Sequence, residues 1–255
     1  MKAKPNKKFV DGQKYYGIHA CLALWDLRPQ DVIRVYVHES NVPTFGALLK
    51  GCARDKKAYH IVSSEELNRI TDSVHHEGIC IVAKGAHGVS FEEMVTLLQR
   101  QKECLLYLDG VQNPHNIGSI LRTCAHFGIR YVIGDQLPPL SASACRIAKG
   151  GAERVQLIRL NDPVKSLHQL KKLGFVLVGT SSHKGSSLYD YRFSERTILV
   201  FGAEADGMGR LLQKLVDHHV QIPGTGWVES LNVAVATSLC LGEYVRQQRP
   251  AWDFS

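Results

Sequence analysis

The sequence predicts an α/β protein: a mainly parallel sheet covered by helices in the C-terminal part, preceded by a smaller α/β domain. Three observations predict it. Short β-branched runs alternate with segments of helical period about 10–15 residues long, the pattern of strands joined by crossover helices. The segment Lys84-Gly85-Ala86-His87-Gly88 interrupts that pattern and separates two series of elements. The 255 residues, 44% hydrophobic and 22% charged, lie in the globular range and suffice for one large domain or two ordinary ones.

In order, residues 15–25 have helical spacing and residues 32–38 (VIRVYVH) form a β-branched run suited to a strand. A helix at 45–53 and a strand at 58–62 come next. Ser63-Ser64-Glu65-Glu66 starts a further helix with a serine hydroxyl as cap. Residues 79–83 (ICIVA) are a third strand, and a helix at 91–99 bridges to the larger domain. Beyond Glu103, strands are expected at 105–108, 131–133, 155–160, 175–180, 197–201 and 219–222. Helices are expected at 117–127, 142–149, 164–173, 208–216 and 231–246. The domain reading is a basic flexible tail (1–14), a small α/β domain (15–84), a linker (85–102) and the larger domain (103–250). Solenoid repeats and low-complexity tracts are absent.

The net charge of +7 leans towards an anionic partner, but Lys2, Lys4, Lys7, Lys8 and Lys14 against Asp11 put +4 of it in the first 14 residues. Such a tail serves as a binding arm or as a plain solvated segment. Seven scattered cysteines without a C-x-x-C pair read as reduced, mostly buried thiols of a cytoplasmic protein. The N-terminal lysines are not succeeded by the apolar run of a signal peptide, and no stretch approaches the roughly 20 apolar residues of a membrane span. No membrane partner is expected. Nor is a metal: in His75-His76-Glu77 the adjacent histidines diverge, and no third ligand has suitable spacing.

Three segments carry candidate chemistry. Asn113-Pro114-His115-Asn116-Ile117-Gly118-Ser119-Ile120-Leu121-Arg122-Thr123 lies where a strand gives way to a helix. Asn113 or Asn116 can cap that helix, and Arg122, six residues past Asn116, is expected on roughly the same side at the strand's carboxyl edge, where open α/β sheets bind ligands. A capped helix with one surface arginine reads equally well. Phe201-Gly202-Ala203-Glu204-Ala205-Asp206-Gly207-Met208 comes after an apolar strand; its glycines do not have dinucleotide-loop spacing, and alone it is an ordinary turn. The segment from Ile222 to Ala236 is a Gly-rich loop, without an internal Lys or Arg, opening a long helix near Ser230 and Asn232. Small residues along that helix (Ala234, Ala236, Ser238, Gly242) would admit a second backbone closely. On its own this segment is a loop and a core helix.

In this order and spacing the three segments closely resemble motifs one, two and three of the SpoU (TrmH) family of RNA ribose 2′-O-methyltransferases, in the SPOUT superfamily, over roughly residues 103–247. Tyr16-Gly17-Ile18-His19-Ala20 and His76-Glu77-Gly78-Ile79 resemble the start and end of the substrate-binding domain found in the family's ribosomal-RNA guanosine 2′-O-methyltransferases. The resemblance implies a deep trefoil knot in the C-terminal sheet and a ribosomal protein L30e-like N-terminal domain. It implies S-adenosylmethionine as cofactor, contacted by Gly202, Ile222 and Leu231 with Thr180 nearby, and an active site at a homodimer interface. It makes Arg122 the central catalytic residue, with Asn116, Glu204, Ser230 and Asn232 at the matching polar positions.

Arg122 is often assigned the proton of the ribose hydroxyl in relatives. A guanidinium does not give up its proton in proteins, so an electrostatic role towards the target phosphate and the developing alkoxide is preferred. Ala203 stands where many relatives have Asn or Gln, and Thr225-Gly226-Trp227 replaces a more apolar, Met-containing stretch. His115 and His183 are read as loop histidines rather than bases. Lys149-Gly150-Gly151-Ala152-Glu153 lines an RNA channel or is a solvated turn. The N-terminal domain favours ribosomal over transfer RNA. The alternatives are a catalytically silent RNA-binding assembly factor, transfer-RNA 2′-O-methylation, and methylation of a base nitrogen.

Overall fold

The structure is a computed structural model and describes residues 12–99, 101–182, 184–203 and 207–248. The chain divides into two compact units between His87 and Gly88.

In the first unit, strands β1 (Gln13–Tyr16), β2 (Val32–His38), β3 (Ala58–Val62) and β4 (Ile79–Ala83) alternate with helices α1 (Ile18–Leu27), α2 (Gly46–Arg54) and α3 (Ser64–Thr71). The sheet order is β1-β4-β2-β3, with β2 and β3 parallel and the other pairs antiparallel. β4 is central and buried along its whole length, which is why it reads as an unbroken apolar run. Ser63 caps α3 through its side chain, as its sequence position predicts. Residues 15 and 16 are a correction. They belong to β1, where Tyr15 pairs with Ile81 and Tyr16 with Cys80, and the helix starts only after Gly17. Pairing with β4 overrides the local helical spacing.

In the second unit, seven strands form one sheet in which every pair is parallel: β5 (Glu103–Asp109), β6 (Tyr131–Gly134), β7 (Gln156–Arg159), β8 (Val176–Thr180), β9 (Ser186–Ser187), β10 (Arg196–Gly202) and β11 (His218–Gln221). Their order is β7-β6-β5-β10-β8-β11-β9. Helices α4 (Phe91–Leu98), α5 (Pro114–Phe127), α6 (Ala142–Ile147), α7 (Pro163–Lys172), α8 (Arg210–Leu215) and α9 (Val233–Gln248) accompany them.

The two-residue side-chain period of β5 divides its core. Cys104, Leu106 and Leu108 pack with Ile117, Ile120 and Leu121 of α5 and with Cys240, Leu241 and Tyr244 of α9. Leu105 and Tyr107 pack on the other side with Met94 and Leu98 of α4 and Leu167 and Leu170 of α7. The segment expected to link the domains is therefore partly core: Ser90 and Glu93 form a capping box that starts α4, and α4 buries Met94, Val95 and Leu98 in the second unit. The two-residue β9 is too short to leave a periodic signal.

All seven cysteines are buried and none is in a disulfide. Burial pushes the Cys80 and Cys240 thiols up to about 12, which keeps them protonated and unreactive. No helix among the described residues is long and apolar enough to cross a membrane.

Candidate active site

The four neighbouring strands β5, β10, β8 and β11 bring the three motifs and Thr180 to their carboxyl ends. The first motif comes after β5, the second after β10, Thr180 ends β8, and the third motif comes after β11. In register, Gly202 lies opposite Asp109 and Thr180 opposite Val220. Segments up to 116 positions apart thus meet along one sheet edge, because β10 inserts between β5 and β8.

Two amides join the first and third motifs: Asn232 Nδ2 donates to Asn116 Oδ1 at 3.0 Å. Asn116 is buried on α5. Asn232 also starts α9, its Oδ1 accepting from Ala234 N at 2.9 Å and its carbonyl from Ala236 N at 2.9 Å. The side chain therefore both caps the helix and faces motif one. Asn113, rather than Asn116, caps α5, accepting from His115 N at 2.9 Å. His115 is exposed beside it.

The second motif is a tight backbone crossing. Ala203 and Gly207 form an isolated antiparallel bridge, with Gly207 N donating to Ala203 O at 2.9 Å. A Cβ on Gly202 would overlap the Gly207 carbonyl and the Met208 nitrogen, so only glycine fits. Asp109 fixes the far end of this loop to β5, its Oδ2 accepting from Gly209 N at 2.7 Å. Sequence reasoning missed Asp109; the signal was an acid closing an otherwise apolar strand. Thr180 Oγ1 donates to Val200 O at 3.0 Å, tying β8 to β10. Ile222 packs half-buried against the core, whereas Ser230 and Leu231 are exposed and precede α9 rather than lying within it. Trp227, in the stretch that departs from the family pattern, is 90% exposed.

Arg122 does not join this group within the chain. Six residues at about 100° per residue place it roughly 120° around the helix from Asn116, so the expectation of a shared side is corrected. Asn116 points into the core and Arg122 is exposed, with no side-chain hydrogen bond or ion pair to a described residue. Glu204 and His183, and residues 1–11 of the basic tail, lie outside the described residues.

The small-residue stripe of α9 is also corrected. It already packs within the chain: Ser238 Oγ lies 3.1 Å from Thr123 Oγ1 of α5, and Ala234 is buried. It also leaves apolar side chains uncovered, namely Leu231 just before it and Val235 and Leu239 on it, 43%, 48% and 38% exposed.

In the first unit, His76 and Glu77 hold a turn. His76 bridges Asn68 Oδ1 (3.0 Å) and Gly78 N (2.9 Å), and Glu77 Oε2 accepts from Ile18 N at 2.9 Å. Gly17 N donates to His76 O, so the two segments singled out at the ends of this domain are bonded to each other.

An open parallel sheet with its loops collected over adjacent carboxyl ends is the ligand-binding arrangement of α/β enzymes. The SpoU rRNA Methylase family matches residues 103–242, and the family of RNA 2′-O ribose methyltransferase substrate-binding domains matches residues 15–88. The chain belongs to the SpoU rRNA methylase family. It is 37% identical, over 92% of its length and 68% of the relative's, to an uncharacterized tRNA/rRNA methyltransferase, YfiF, of Escherichia coli O157:H7. It is 36% identical, over 92% of its length and 98% of the relative's, to the 23S rRNA (guanosine-2′-O-)-methyltransferase RlmB of Pasteurella multocida. Its fold is similar to that of the SpoU methyltransferase AviRb of Streptomyces viridochromogenes, solved in complex with AdoMet, with a TM-score of 0.77 at 20% identity, covering 96% of this chain and 95% of that one.

Proposed function

We infer that this protein methylates a ribose 2′-hydroxyl of ribosomal RNA, using S-adenosylmethionine. The observation that carries the inference is the convergence of the three motifs over four adjacent strand ends, joined by the Asn116–Asn232 hydrogen bond, in a chain about 35% identical to ribosomal-RNA 2′-O-methyltransferases.

The residues present fit the donor. Gly202 lets the motif-two loop fold back against its own main chain at Gly207 and Met208 at the strand end, and the loop from Ile222 to Leu231 offers main chain and apolar surface with few charges. Gly202, Ile222 and Leu231 hold the donor, with Thr180 at the neighbouring strand end. When bound, the donor supplies an electrophilic sulfonium methyl. Asn116 and Asn232 fix the motif-one helix against the motif-three loop, and Ser230 and Glu204 are the remaining polar residues that the motifs supply. Arg122 orients the target phosphate and stabilises the negative charge that grows on the ribose oxygen.

The first unit is the substrate-reading domain, with an L30e-like fold. The second has the deep trefoil knot of the family, a reading supported by strands distant in sequence standing side by side as β5-β10-β8-β11. The protein acts in the cytoplasm, as a homodimer built on the second unit. Leu231, Val235 and Leu239, spaced by four residues, supply the apolar stripe that a second copy covers, and the dimer brings an exposed Arg122 to each donor site. Light scattering is expected to give twice the 28.4 kDa chain mass at micromolar concentration; a single-chain mass would contradict the dimer.

The function is tested by incubating the purified protein with radiolabelled S-adenosylmethionine and ribosomal RNA from cells lacking its gene. Label is expected in the RNA. Tight binding of the RNA without label would instead identify an assembly factor.

A further inference from the structure

We propose that the turn Lys149-Gly150-Gly151 is a phosphate-binding site that holds the RNA backbone beside Arg122. The proposal rests on the reading that this chain modifies RNA. It adds a residue that lies outside the three motifs.

The turn is built rather than loose. Helix α6 ends at Ile147, and the chain then passes through two left-handed residues, Lys149 (φ 49°) and Gly150 (φ 90°), into the short helical turn Gly151–Glu153. Its main chain is closed by bonds from Lys149 N to Arg146 O (3.1 Å), Gly151 N to Ala148 O (2.8 Å) and Val155 N to Gly151 O (3.0 Å). Ala148, Gly150 and Gly151 are buried, while Lys149 between them is exposed. The backbone of the turn is thus packed and hydrogen-bonded, with Lys149 alone of these four residues facing solvent.

The turn also abuts Arg122. A Cβ on Gly151 would lie 2.7 Å from Leu121 O and 3.1 Å from Arg122 Cα, so the two backbones touch where the arginine leaves α5. Two residues of chain span at most roughly 7 Å, so the Lys149 and Arg122 backbones lie within about 11 Å of each other, a separation that two long side chains can bridge through a shared stretch of phosphates. Arg154 comes three residues after Gly151. Arg122, Lys149 and Arg154 are all exposed, and none has a side-chain hydrogen bond or ion pair to a described residue; the acid of the turn, Glu153, is half-buried.

Lysine is a poor choice for a left-handed position, since its Cβ crowds the backbone there while glycine or asparagine does not. Among the described residues of the second unit, Lys149 is the only non-glycine with positive φ. Strain of this kind, held by a packed turn whose backbone touches the start of the exposed Arg122, points to a ligand that repays it. The ligand is a phosphodiester. Arginine grips two of its oxygens with a planar fork and lysine adds a point charge. Lys149 thus binds the phosphate next to the one that Arg122 orients.

The test uses full-length protein and filter binding to ribosomal RNA across a salt series, with Lys149→Gly and Lys149→Arg. Lys149→Gly suits the left-handed backbone, so its melting temperature should equal or exceed that of the parent. Its affinity should nonetheless fall about tenfold, and its log-affinity against log-salt slope should flatten by about one unit. Lys149→Arg should restore both. Inorganic phosphate at matched ionic strength should compete poorly, since a free anion lacks the remaining RNA contacts; competition as strong as by RNA would mean a free-anion site and overturn the proposal. Wild-type affinity and slope in Lys149→Gly would overturn it as well. If the wild-type protein fails to methylate RNA, the functional reading falls, yet the binding comparison still decides the role of Lys149.

Discussion

Arg122→Ala is expected to slow methyl transfer about a hundred- to a thousand-fold while leaving donor affinity unchanged. Losing one oriented positive group at a developing negative oxygen costs about 3–4 kcal/mol of transition-state stabilisation. The side chain is exposed on α5 and bonded to no described residue, so its removal leaves the core and the donor loops untouched. Single-turnover methylation gives the rate and calorimetry gives the donor Kd. A variant that transferred methyl at nearly the parent rate would show that Arg122 is a surface arginine. A variant that lost donor binding would place it in the wrong half of the site.

Gly202→Ala is expected to do the reverse, weakening donor binding on the order of a hundredfold because the loop that shapes the pocket must shift by about an ångström. The cause is local and steric. The added methyl falls on the Gly207 carbonyl and the Met208 nitrogen, which are main chain and cannot swing away as a side chain would. Asp109 holds the end of the same loop through Gly209 N, which limits its freedom to relax. Calorimetry with S-adenosylmethionine, on protein shown to be folded by near-ultraviolet circular dichroism, reads the effect. Parental affinity would mean that the donor is not held at the β10 loop.

These two residues also mark what the sequence reveals and what it withholds. β2, β3 and β4 are legible to the residue because each is a run rich in β-branched or apolar residues closed by turn signals. β1 is not, since Tyr15 and Tyr16 become strand only by pairing with residues far along the chain. The same holds for the site. The motif residues are identifiable by their order and spacing, but the Asn116–Asn232 contact depends on β10 entering the sheet between β5 and β8, an arrangement that no local period encodes.

The misread features fail for physical reasons of the same kind. Six positions along a helix seem close in sequence, yet they turn Arg122 away from Asn116. A stripe of small residues signals close packing without naming the partner: for α9 that partner is α5 of the same chain, through Ser238 and Thr123. The segment 85–102 looks like a connection because Gly85 and Gly88 break the pattern, but the Ser90–Glu93 capping box restarts a helix that belongs to the second core.

The destination of the methyl group decides whether this protein is a ribose methyltransferase. The direct measurement is to digest ribosomal RNA methylated by the purified protein to nucleosides and identify the labelled species by mass spectrometry. A single 2′-O-methylnucleoside, formed far more slowly with Arg122→Ala, is the predicted result. Label on a base, with the ribose unmodified, would contradict it.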